Sequence, residues 1–182
     1  VYLGVDQSLT GFAVAAVSTP SPAGLAPEQY YSEVYRSAER GVDRLHDISA
    51  FLRGFIVRLE ERDCQVVDAA MENTVRASHS ASVLGELSGV VKMTFREHAH
   101  SAVRYPILVP PTTLKKYITG RGNATKLEVV TAVNVRLRAA ITDDNATDAL
   151  ALAFIAAQHY QSPEEFALLV GLFASDPRNQ RG

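Results

Sequence analysis

The chain has 182 residues, with 18 Lys plus Arg against 20 Asp plus Glu, a formal net charge of −2, and 47% hydrophobic residues. That size fits one domain with a sizeable core, at most with an appendage, and the composition is that of an ordinary soluble globular protein. The near-neutral balance excludes a non-specific basic nucleic-acid coat, though not a local basic face. The single cysteine, Cys64, excludes an internal disulfide and a cysteine-rich zinc module. No apolar run approaches the roughly 18 residues of a membrane span. The N-terminus has no charged region followed by an apolar one, so a cytoplasmic protein is expected.

Residues 1–6, VYLGVD, and 11–17, GFAVAAV, predict two adjacent strands joined by a turn over Gln7–Thr10. Ser18–Pro27, with three prolines and a glycine, reads as a loop, and Glu28–Arg36 as a third strand completing an antiparallel meander. Apolar residues at Val42, Leu45, Ile48, Leu52, Phe55, Ile56 and Leu59 have helical spacing and predict a helix over 42–62. A β-rich run, 65–71, leads directly into Glu72, and a second helix follows over 80–98. Residues 105–110 predict a strand, and Pro110–Pro111 opens a brief helix. Thr125-x-x-Glu128 has the form of a capping box opening a helix to about Arg138. Asn145–Tyr160 is the last core helix. Ser162, Pro163 and Glu165 form a helix start, predicting a short apolar helix to about Phe173 and then a polar tail expected to be disordered. Three hairpin strands followed by strands alternating with helices imply an α/β fold with a mixed sheet and helices on its faces.

Acids stand at the ends of these elements: Asp6 closing the first strand, Glu72 closing the fourth, and Asp143, Asp144 and Asp148 around the start of the last helix. Strand ends face the crevice where α/β proteins bind ligands. Each acid alone also has an ordinary reading, Asp6 as a turn residue and Asp144 or Asn145 as a helix N-cap. Asp148 is harder to dismiss, because it shares a helix face with Asp144 and Asn145 while Ala146, Ala149, Leu150 and Ala153 pack inward. Carboxylates gathered from distant parts of a chain suit hard cations such as Mg²⁺. A pair of these about 3.5–4 Å apart activates water and stabilises the leaving oxygen of a phosphodiester.

The segments GVDQSLTGFAV, DAAMEN, LGELSGVV, PTTLKKYITGRGNATK and NATDALALA, in that order, resemble the RuvC Holliday-junction resolvases of the ribonuclease H-like (retroviral integrase) superfamily, over about residues 1–160. The resemblance implies a ribonuclease H-like fold with a mixed five-stranded sheet. It also implies a nuclease domain over 1–160, with 161–182 as an addition. The implied activity is metal-dependent hydrolysis of Holliday junctions or other branched DNA, forks and flaps included, with two Mg²⁺ or Mn²⁺ ions and a homodimer matched to a two-fold junction. By position, Asp6, Glu72 and Asp148 match the family's metal ligands, and Lys126 matches its lysine after the Gly-rich loop. A cellular and a bacteriophage source are equally open.

Asn145 stands where the family usually has an aspartate. An amide gives a cation one oxygen but removes a full charge, so either Asp144, or with less support Asp143, supplies the carboxylate, or cleavage is lowered. A non-cleaving junction-binding protein is therefore the alternative function. The loop after Glu72 also lacks the family's stacking aromatic, leaving Val75 as an apolar wedge and Arg76 as a phosphate or stacking contact.

Residues 92–138 carry nine Lys or Arg against Glu97 and Glu128. Lys115, Lys116, Arg121 and Lys126 flank Gly120-Arg121-Gly122-Asn123, a loop whose glycines admit close approach of a phosphate, although GRGNATK is not a P-loop. In the second helix, Val83, Leu87, Val90, Val91 and Thr94 recur at helical spacing among the small residues Ser82, Gly85, Ser88 and Gly89. This pattern suits packing on the sheet and, by the resemblance, a dimer contact. The five histidines show no zinc-ligand spacing, and Cys64 reads as structural. An actin-like nucleotide-binding protein, which also begins strand–Asp–turn–strand, fails on length and on the lack of a second glycine-rich phosphate loop. If the amide at Asn145 limits metal binding, Asn145→Asp raises metal-dependent cleavage of a labelled four-way junction; an unchanged or slower rate counts against this.

Overall fold

The computed structural model describes residues 1–18, 29–73, 81–98, 103 and 105–164. Its strands are β1 (Tyr2–Asp6), β2 (Phe12–Val17), β3 (Tyr30–Tyr35), β4 (Asp68–Glu72) and β5 (Ile107–Val109). Its helices are α1 (Gly41–Glu60), α2 (Ala81–His98), α3 (Pro111–Thr119), α4 (Lys126–Arg136) and α5 (Asp144–Gln161). The sheet order is β3-β2-β1-β4-β5, with β1–β2 and β2–β3 antiparallel and β1–β4 and β4–β5 parallel. This is the expected mixed sheet. The elements follow the predicted order, with β4 starting later than expected and including Glu72, and β5 shorter than 105–110. The predicted C-terminal helix and tail lie outside the described residues beyond residue 164. No described helix is long and apolar enough to cross a membrane.

The sheet alternates faces residue by residue. Leu3, Val5, Phe12, Val14, Ala16, Ala69 and Met71 pack beneath α1 and α2. Tyr2, Ala13, Ala15, Val17 and Ala70 pack against α5, which α3 and α4 cover from outside. The strict period of two therefore sends Asp6 and Glu72 to the α5 side. The strand periodicity was visible in sequence, but the partners of each face were not.

The helix α5 lies on the sheet with almost no gap. A Cβ built on Gly4 would stand 1.9 Å from the carbonyl oxygen of Ala149 and 2.2 Å from the amide nitrogen of Ala153. Only hydrogen at that position, opposite a helix rich in buried alanines, lets backbone meet backbone. The helix runs antiparallel to β1: Tyr160 near its end meets Tyr2 with ring centroids 5.7 Å apart, and Ala149 and Ala153 meet Gly4. The first turns of α5 consequently fall over Asp6. Gly4→Ala forces two backbones apart and should cost at least about 2–3 kcal/mol, the upper range for overpacking. Urea unfolding checks this, and a loss under 1 kcal/mol would contradict the close seat.

Candidate active site

Three elements converge at one end of the sheet. The parallel register sets Val5 beside Met71, so Asp6 and Glu72 follow side by side at the ends of β1 and β4. Asp148 comes from the second turn of α5. Asp6 is only 5% exposed, and Asp6 and Glu72 are hydrogen-bonded through their carboxyl groups. Burial, the charges of Glu72 and Asp148 and that bond hold the Asp6 carboxyl well above the usual carboxylate range. Glu72 is raised by burial, against the pull of the Asp6 bond and of Lys115 and Lys126. Asp148 is pushed up to about 7, first by burial and then by the charge of Glu72. Three carboxyls that all resist ionisation mark a concentration of negative charge without sufficient protein cations.

The surrounding cations come from α3 and α4. The ammonium of Lys126 bonds Asp144, which raises the lysine pKa and lowers that of the aspartate. Lys115 acts on Glu72 and Asp148 at longer range. The capping box is present, with the Thr125 amide 2.7 Å from Glu128 Oε2, and it fixes the turn that carries Lys126. Arg121 is held by the same Glu128, while Lys116 is exposed on α3. Val75 and Arg76 lie outside the described residues.

At the start of α5 the structure separates the three neighbours that the sequence left as alternatives. The N-cap is Asp143, not Asp144 or Asn145: its carboxylate accepts from the Ala146 amide at 3.1 Å and pairs with Arg36 at 2.7 Å. Its pKa is lowered, the desolvation that opposes this being outweighed by those two partners. It is thus occupied in holding the helix. Asn145 turns its amide over Gly11, where a built Cβ would come within 2.4 Å of Nδ2. Asp144 is the neighbour whose charge acts on both Asp6 and Asp148. Sequence reading missed Arg36, which lies 107 positions from Asp143, and took Gln7 for a turn residue. Gln7 is 5% exposed and its Nε2 donates to the Glu72 carbonyl at 2.5 Å.

The RuvC family, crossover junction endodeoxyribonuclease RuvC, matches residues 3–156, which span every acid of this cluster. The chain belongs to the RuvC family. The RuvC fold is also found by structural likeness. "T. thermophilus RuvC in complex with Holliday junction substrate" aligns with a TM-score of 0.67 at 20% identity, covering 94% of this chain and 97% of that one. "Thermus thermophilus RuvC structure" aligns at 0.63 and 24%, covering 93% and 95%. No curated protein matches the chain. The ribonuclease H-like, mixed five-stranded architecture expected from the motifs is thus the architecture of this RuvC family member.

The side-chain chemistry of the cluster suits a hard divalent cation: carboxyl oxygens only, buried, with burial opposing their ionisation. Among the described residues no group of three or more acidic, histidine or cysteine side chains is placed so that it could hold a metal ion as it stands. Asp6 and Glu72 instead turn to each other. This has a consequence for stability. Because the native Asp148 keeps its proton up to about pH 7, the folded state binds more protons than the unfolded chain between the ordinary aspartate pKa and that point, so stability falls as pH rises through this window. In EDTA, Asp148→Asn should weaken this dependence, to which Asp6 and Glu72 also contribute, and stabilise the protein at pH 8 by ~2–4 kcal/mol. Thermal melts at pH 5 and pH 8 check the sign, and a variant no more stable than wild type at pH 8 would refute it.

Proposed function

We propose that this chain hydrolyses phosphodiester bonds at four-way DNA junctions, and at related forks or flaps, with Asp6, Glu72 and Asp148 as metal ligands. Asp144 supplies the fourth acidic charge in place of Asn145, and the set holds two Mg²⁺ or Mn²⁺ ions. The single observation carrying this reading is that Asp6, Glu72 and Asp148, three carboxyls raised above their ordinary range, lie within electrostatic reach of one another at the end of a RuvC sheet. Bound divalent ions supply activation of water and stabilisation of the leaving oxygen. The chain itself supplies orientation and charge. Its β1–β4 ladder holds Asp6 and Glu72 at a fixed separation, and the seat of α5 on Gly4 sets the height of Asp148 above them. Lys126, flexible and 77% exposed at its side chain, is free to exchange Asp144 for a scissile phosphate and to neutralise its growing charge.

DNA is the favoured substrate because the RuvC neighbour of 0.67 TM-score is described with a Holliday junction, and because Lys115, Lys116 and Arg121 adjoin Lys126 on α3 and the following loop. A homodimer would present two such centres to a two-fold junction. Its support is the outer side of α2, where Gly85 and Gly89 face open space and Val83 and Met93 are 39% and 55% exposed. The non-cleaving alternative rests on Asn145 and on the lack of an aromatic in the loop after Glu72, and the charge of Asp144 on Asp6 and Asp148 favours the cleaving one.

Incubating end-labelled four-way junction and linear duplex of the same sequence with Mg²⁺, Mn²⁺ or EDTA tests the reading. Symmetric nicks in the junction alone, abolished by EDTA and reduced at least about 100-fold in Asp6→Asn, are expected, since loss of a metal ligand removes an interaction made in the transition state. Tight junction binding without any product in either metal would establish the non-cleaving reading.

A further inference from the structure

The β1–β4 ladder pairs Tyr2 with Asp68 through Val5 with Met71, and then the two chains part. On the far side, Glu72 still pairs with Val109 of β5, and the Asn73 amide donates to the Val109 carbonyl at 2.8 Å. On the β1 side no backbone donor remains for Glu72. The side chain of Gln7 takes that place, its Nε2 donating to the Glu72 carbonyl. This is a side-chain rung added where the backbone ladder stops, between the residue after Asp6 and the residue that carries the second carboxyl.

The other end of the same amide has no partner. Gln7 Oε1 is buried and accepts no hydrogen bond, although Gln7 as a whole is only 5% exposed. An orphaned acceptor of this kind destabilises the folded state, and the Nε2 rung to Glu72 does not account for it. Gln7 directly follows Asp6 and bonds the backbone of Glu72, and for a free acceptor on such a residue a natural donor is the water carried by a hydrated divalent ion, since such ions dehydrate reluctantly and keep several waters.

We propose that Gln7 is a positioning residue of the metal centre: through Nε2 it fixes Glu72 against Asp6, and through Oε1 it accepts a hydrogen bond from the hydration shell of the bound cation. The inference rests on reading Asp6 and Glu72 as metal ligands. Partners of this outer kind orient the ligands, and their loss typically lowers metal affinity or activity about 10–100-fold.

Gln7→Met keeps the length of the side chain and removes both hydrogen-bonding ends, and Gln7→Leu repeats the test with a different apolar shape. Mn²⁺ titration by isothermal calorimetry is the main readout, with thermal unfolding in EDTA and junction binding in EDTA beside it. Expected are a Mn²⁺ affinity lowered about 10–100-fold, an unfolding midpoint close to that of wild type because losing the orphaned acceptor offsets losing the donor to the Glu72 carbonyl, and unchanged junction binding. Mn²⁺ affinity within twofold of wild type in either folded variant overturns the role of Gln7, and so does a lowered midpoint in EDTA with unaltered Mn²⁺ affinity, which marks a strut. Wild-type protein that takes up no Mn²⁺ overturns the metal-centre reading itself, whereas wild-type uptake matched by Gln7→Met overturns only the inference about Gln7.

Discussion

The contact on which the molecule depends is the seat of α5 on β1 at Gly4. Helices usually rest on sheets through a layer of side chains. Here one strand position has no side chain, and the helix opposite offers Ala149, Leu152 and Ala153. The result is a backbone contact with no play in it. Because α5 runs antiparallel to β1, the contact fixes which residues of its first turns stand over Asp6. The acids of α5 inherit their position from there: Asp148 directly, Asp144 one turn earlier, and Asp143 through its cap and the bond to Arg36.

The same geometry explains the electrostatics. A close helix excludes water from the strand ends, and burial is the largest cause of the raised pKa at Asp6, Glu72 and Asp148 alike. Proximity of like charges adds to it. The protein answers only in part, by placing Lys126 and Lys115 at the margin rather than within the cluster. A buried lysine would have neutralised the carboxyls permanently and left nothing for an external cation to do. Stability is thus given up at the place where binding has most to gain from it, the usual relation between strain and function.

Much of this was legible in the sequence for identifiable reasons. Asp6 and Glu72 could be read because each closes an apolar strand run, and Asp148 because helical spacing places it with Asp144 while alanines face inward. The capping box at Thr125 and Glu128 was readable because its logic is local. Arg36 was not, since its bond to Asp143 joins segments far apart in the chain. Nor was the division of labour among Asp143, Asp144 and Asn145, because one residue of shift turns a helix by about 100° and sequence alone does not fix the phase. Gln7 was passed over for a different reason. Glutamine after a strand end reads as a polar turn residue, and only burial shows that it faces inward.

The pairing of Arg121 with Glu128 and of Lys126 with Asp144 bears on how the surface would meet a polyanion. A lysine or arginine surrounded by water and mobile salt liberates small ions when a phosphate arrives, and that entropy drives association. A cation already neutralised by a fixed carboxylate has fewer ions to liberate, so the phosphate merely exchanges one anion for another. Lys116, which makes no ion pair among the described residues, belongs to the first kind, and Arg121 and Lys126 to the second. Toward a polyanion the basic segment would therefore divide into a part that attracts from a distance and a part that responds only when a phosphate is close enough to compete with a specific acid. For a nuclease, the second part is the one that distinguishes a strand seated at the centre from a strand merely resting nearby.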